Sequence, residues 1–73
     1  MNYLIIHRQS NLIINVVSSN GIVGSDATYK AIRVSEKVLD RYYRLKMKPN
    51  RKGTLVDVGE MASVSPAFKE LLI

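Results

Sequence analysis

The sequence predicts a small α+β domain: an N-terminal β-hairpin with one or two further short strands, packed against one main helix and closed by a short C-terminal helix. Three observations predict it. Two apolar runs rich in β-branched and aromatic residues, 3–7 and 12–17, open the chain around a short polar turn. Residues 36–47 then carry apolar positions at helical spacing. The close, SPAFKELLI, begins with a serine followed by proline, a helix start signal. At 73 residues the chain, 1–73, is expected to form one domain. A domain of that size buries roughly 60% of the surface its unfolded chain exposes.

Taken in order, NYLIIHRQSNLIINVV reads as the hairpin, with Ser10 and Asn11 as turn formers. Its runs are nearly continuous in apolar character, so both faces of the ribbon are expected to be covered. SSNGIVGSDA is a loop, too short and polar to link two domains. In TYKAIRVS, Ile32 and Val34 alternate with Ala31 and Arg33, which suits a third strand. Ser35 is placed as the N-cap of the main helix, with Glu36 in its first turn and Val34 and Leu39 spaced for a hydrophobic staple. Val38, Leu39, Tyr42 and Leu45 share one helix face, and Asp40 and Arg44 form an i,i+4 pair. The helix must end before Pro49. KPNRKG reads as an exposed turn and TLVDV as a short strand. Asp57 and Glu60 are spaced for a capping box, which makes VGEMAS a short helical turn. In the last helix Phe68, Leu71 and Leu72 supply the apolar face.

The composition argues against several functions. There is no cysteine and His7 is the single histidine, so neither a disulfide framework nor a zinc site of the usual type is available. The same shortage leaves no nucleophile–base pair, and no enzymatic activity is expected. GIVG lacks the Lys-Ser/Thr of a phosphate loop. No cofactor is expected. The start has no basic n-region, its apolar run is broken by His7 and Arg8, and no stretch reaches a membrane span, so a soluble intracellular protein is expected.

The net charge of +5 is localised. Residues 30–52 hold nine basic side chains against two acids, an excess of +7, so the rest of the chain is net −2. Within the helix Lys37, Arg41, Arg44 and Lys48 fall at i, i+4, i+7 and i+11, a single stripe, which Arg51 and Lys52 extend. The stripe is expected opposite the Val38–Tyr42–Leu45 face. Such a stripe suits phosphate, through arginine forks, or an acidic protein surface, through steering. It is equally the ordinary solvated face of a surface helix. Tyr42 is expected in the core. Tyr43 is the better contact candidate, stacking on bases or anchoring a protein partner.

The length, the opening NYLIIHRQSNLIINVV, the basic helix SEKVLDRYYRLK and the closing SPAFKELL together resemble a small phage-encoded inhibitor of bacterial RNA polymerase, of the kind found in a lytic Xanthomonas phage. The resemblance spans the whole chain. It implies a non-enzymatic protein in the cytoplasm of the bacterial host that binds host RNA polymerase at its largest subunits, notably the N-terminal region of β′; a monomer is expected. Interference with sigma and failure of initiation at host promoters follow, with antitermination as a further effect. On that reading Lys37, Arg41, Arg44, Lys48, Arg51 and Lys52 form the electrostatic contact, with Tyr43 as a nearby anchor. The hairpin edge is a second candidate contact, by β-addition. The alternatives are a small basic DNA- or RNA-binding regulator using the same stripe, and a structural or assembly protein.

Overall fold

The computed structural model describes residues 1–48 and 54–72. Strands β1 (Asn2–His7), β2 (Leu12–Ser18) and β3 (Tyr29–Val34) precede helices α1 (Glu36–Lys46), α2 (Val58–Val64) and α3 (Pro66–Leu71). The sheet order is β2-β1-β3, and β1 is antiparallel to both neighbours. This is the α+β domain the sequence predicts, with one more helix of substance.

The hairpin turn closes on Asn11, whose φ of 57° lies in the left-handed region that asparagine tolerates better than most residues. Its N–H bonds the His7 carbonyl at 2.8 Å. Ile13 and Val16 both face the core although they are three residues apart, which a strict two-residue alternation forbids. A register shift resolves this. Ile6 pairs with Ile13 and Ile5 with Asn15, so Ile14 is the extra residue of a bulge and is exposed.

Both faces of β1 are covered. Leu4 and Ile6 point into the main core, with Ile13, Ile32, Val34, Val38, Tyr42, Leu45, Val56, Met61 and Phe68. Tyr3 points the other way yet is only 5% exposed and lies outside that cluster. The connection from β2 to β3 accounts for it. As it leaves β2 at one edge of the sheet for β3 at the other, the chain places the Gly21 carbonyl 3.2 Å from the Tyr3 hydroxyl, which donates to it. Ser19 exchanges backbone bonds of 2.9 Å with Met1 at one end. Arg8 holds the other end, its N–H donating to the Thr28 carbonyl and its Nε–H to that of Asp26. The SSNGIVGSDA loop is therefore tied at both ends.

Helix α1 starts as its residues dictate. The Ser35 hydroxyl accepts from the Val38 N–H at 3.2 Å, and Val34 and Leu39 both pack on the core. Val38, Tyr42 and Leu45 are buried.

The strand expected at TLVDV is not formed. Leu12 and Asp57 make an isolated bridge, with Ile13 N–H donating to the Val56 carbonyl and Val58 N–H to that of Asn11. The reason is local. The Asp57 carboxylate accepts from the Glu60 N–H at 2.7 Å and caps α2, so the chain turns into a helix at Val58 before a ladder can extend. Thus VGEMAS belongs to a seven-residue helix rather than a single turn.

One residue makes the α2–α3 corner. The Ser65 backbone N–H donates to the Met61 carbonyl at 3.1 Å, ending α2. Its hydroxyl accepts from the Phe68 N–H at 3.2 Å, starting α3 with Pro66 in the first turn. Met61 and Phe68 on either side of the corner are fully buried. The corner lies beside α1 and borders a groove with it.

Candidate functional site: a basic groove beside the main helix

An α-helix advances about 100° per residue. On that wheel the stripe Lys37–Arg41–Arg44–Lys48 is centred about 100° from Val38, Tyr42 and Leu45, whose burial marks the core direction. The stripe thus lies beside the core face and not opposite it, which corrects the expectation. Lys37, Arg41, Arg44 and Lys48 are all exposed. Arg44 Nε lies 3.0 Å from Asp40 Oδ2, an i,i+4 pair that is open to solvent. Among the described residues Lys37, Arg41 and Lys48 have no carboxylate within ion-pair distance. Arg51 and Lys52 lie outside the described residues.

Because the stripe is on the flank, it meets the α2–α3 corner. Lys37, Val38 and Arg41 line one side of a shallow groove of about 260 Å³, and Val64, Ser65, Pro66 and Ala67 line the other. A second depression of about 180 Å³ continues it, lined by Arg41, Arg44, Leu45, Lys48 and Val64. Arg41 and Val64 border both. The floor is aliphatic and the α1 rim is cationic. Val64, Pro66 and Ala67 are exposed there.

Tyr43 is not beside the stripe. It sits about 130° round the helix from the stripe centre, on the far flank. Its ring lies 5.5 Å from that of Tyr42 at 58°, and it is 42% exposed while Tyr42 is 1% exposed. Met47, one turn further along, is 78% exposed. The basic side chains and the aromatic contact candidate are therefore divided between two flanks of α1, so the nearby-anchor expectation does not hold for the groove.

The hairpin edge is a poor strand acceptor. Its lower end is occupied by residues 56–58 through the bonds to Ile13 and Asn11. Higher up, the Val16 N–H is already taken by the Asn15 side chain at 2.9 Å, and the bulge at Ile14 breaks the run. His7 stands at the end of β1, its Nδ1 2.7 Å from the Ser10 hydroxyl and its ring 5.8 Å from that of Tyr29. Among the described residues no cluster of three or more histidine, aspartate or glutamate side chains suited to a metal is present, and no helix is long and apolar enough to cross a membrane.

The groove floor was missed by sequence reasoning. Pro66 marked a helix start, but nothing local shows that this corner lies against α1. The flank position of the stripe was available from the 100° step alone.

The fold and groove define a small α+β domain with a basic, aliphatic-floored cleft. Comparison of the chain with protein-family models, with curated proteins and with solved structures finds no match.

Proposed function

We propose that this protein is a non-enzymatic regulator that binds host bacterial RNA polymerase, at the N-terminal region of β′, and inhibits initiation by interfering with sigma, with antitermination as a second consequence. The observation that carries the proposal is the cationic row of Lys37, Arg41 and Arg44 along one flank of α1, continued by Lys48 just past its end, of which Lys37, Arg41 and Lys48 have no ion-pair partner among the described residues. Such a row speeds encounter with an acidic surface on a large enzyme, and apolar contacts then set residence time. The identity of the enzyme rests on the resemblance of the sequence to the phage inhibitors.

The division of Tyr43 from the stripe favours a protein over a single-stranded nucleic acid. Single-strand binders interleave cations with aromatic platforms on one surface, and here the two lie on different flanks of the helix. The test is retention of purified, nuclease-treated core polymerase and holoenzyme on the immobilised protein at moderate salt. Retention of polymerase with loss of sigma from the retained complex is the expected result. Failure to retain either form would remove the polymerase reading, and duplex binding with a steep salt slope would then transfer the stripe to nucleic acid.

A further inference from the structure

We infer that the cleft between α1 and the α2–α3 corner seats a single acidic amphipathic segment of a protein partner, with Val64, Pro66 and Ala67 taking its apolar side chains and Lys37, Arg41, Arg44 and Lys48 its carboxylates. The inference rests on the reading of the stripe as a protein-binding surface and adds the shape and chemistry of what is bound.

Three observations choose the occupant. The first is charge complementarity. One rim carries Lys37, Arg41 and Arg44 over about 10 Å of α1, with Lys48 two residues past its end, a reach that suits a segment of two to three turns, while the residues across from them, Val64, Ser65, Pro66 and Ala67, carry no charge. The second is the floor. Val64, Pro66 and Ala67 expose aliphatic surface directly across from the cations. A phosphodiester chain gains nothing from such a floor, and the linings hold no aromatic ring on which a base could stack. Aliphatic side chains gain by leaving water there. The third is size. Two depressions of about 260 and 180 Å³, joined at Arg41 and Val64, admit individual side chains in line and not the face of a globular domain. An amphipathic segment laid in a groove is the recognition mode that meets all three.

The corner is rigid enough to act as one wall. Ser65 is buried, and both of its capping bonds tie α2 to α3. Val64 and Pro66 are its immediate neighbours in the chain.

The test uses the full chain and a labelled peptide of about a dozen residues, the reach of the rim, with leucine at i, i+4 and i+7 and glutamate elsewhere. A control replaces each leucine by serine at equal charge, and a single-stranded oligonucleotide of matched charge serves as the third probe. The leucine peptide should bind roughly tenfold or more tighter than the control for a single well-seated leucine. It should perturb the methyl resonances of Val64 and Ala67. Ala67→Trp, at an exposed position, fills the groove and should abolish that difference while leaving the fold intact by circular dichroism. Val64→Asp, which places an anion on the floor, should weaken the peptide in the same way. Equal binding of the leucine and serine peptides would overturn the inference. So would unperturbed Val64 and Ala67 methyls in the bound state, or stronger perturbation of them by the oligonucleotide. Peptide binding at the groove without retention of polymerase would leave this inference standing and remove the polymerase partner. Retention of polymerase unaffected by Ala67→Trp would do the reverse.

Discussion

Arg41 and Val64 stand on opposite sides of the cleft beside α1 and border both of its depressions. Arg41 belongs to a helix that packs its Val38–Tyr42–Leu45 face on the sheet. Val64 is the last residue of α2, just before the Ser65 corner. Their juxtaposition puts a cation and an exposed aliphatic side chain on one concave surface, which neither helix has alone.

Charge and fold separate cleanly at this site. The double substitution Arg41→Glu with Arg44→Glu removes two exposed side chains that bury nothing in the core. The exposed Arg44–Asp40 pair, worth about 0.3–0.5 kcal/mol, is lost, and the new glutamate repels Asp40 by a similar amount. The variant should therefore unfold cooperatively within a few degrees of the parent in a thermal melt. A collapse of the melt would show that these arginines hold the fold.

Tyr43 offers the contrasting case. It lies on the far flank of α1 and is half exposed. Tyr43→Ala should cost about 0.5–1.5 kcal/mol of stability through loss of its ring contact with Tyr42, and should leave binding of the acidic leucine peptide within about twofold, measured by fluorescence anisotropy. A large loss of peptide affinity would place the binding surface on that flank instead.

Ser65 is the pivot of the corner. Ser65→Ala leaves the Phe68 N–H without its acceptor in a buried position. The expected cost is about 1 kcal/mol, or roughly 4–8 °C in Tm for a domain of this size. Denaturant unfolding checks the free energy, and the slope of the transition should not change. An unaltered midpoint would mean that Pro66 alone sets the start of α3.

Much of this architecture was legible in local sequence, and particular residues show why. Ser35, and Ser65 followed by Pro66, act within one helical turn, so their cap roles could be read directly. Ile32 and Val34 follow plain strand alternation. TLVDV misled because its apolar pattern suits a strand, while Asp57 commits the chain to a helix through a bond to a residue three positions on. The burial of Tyr3 depends on a glycine carbonyl eighteen residues away. The groove depends on tertiary placement of α2 and α3 against α1, which no spacing within α1 encodes. The cationic half of the candidate site was thus visible in the sequence, and its aliphatic half was not.

Asp26 provides a pH-dependent contribution at the far end of the β2–β3 loop. Its carboxylate accepts from the Tyr29 N–H at 2.7 Å and the Thr28 N–H at 2.8 Å. These bonds, with Tyr29 the larger influence, hold its pKa below the ordinary value near 3.8. A depressed folded-state pKa means stability that is present above the unfolded value and lost as pH falls through the folded one. The loop end should loosen below about pH 4. Amide exchange at Thr28 and Tyr29, followed against pH, checks this. Asp26→Asn should flatten the dependence, and a variant that kept the same profile would assign it to another carboxylate.

The proposed contact is between the cationic flank of α1 and bacterial RNA polymerase. The most direct measurement compares the wild-type protein with the Arg41→Glu, Arg44→Glu variant, each immobilised and offered nuclease-treated holoenzyme at moderate salt. The wild type should retain polymerase and shed sigma, while the folded variant should retain at least tenfold less. Equal retention by both proteins, or retention by neither, would contradict it.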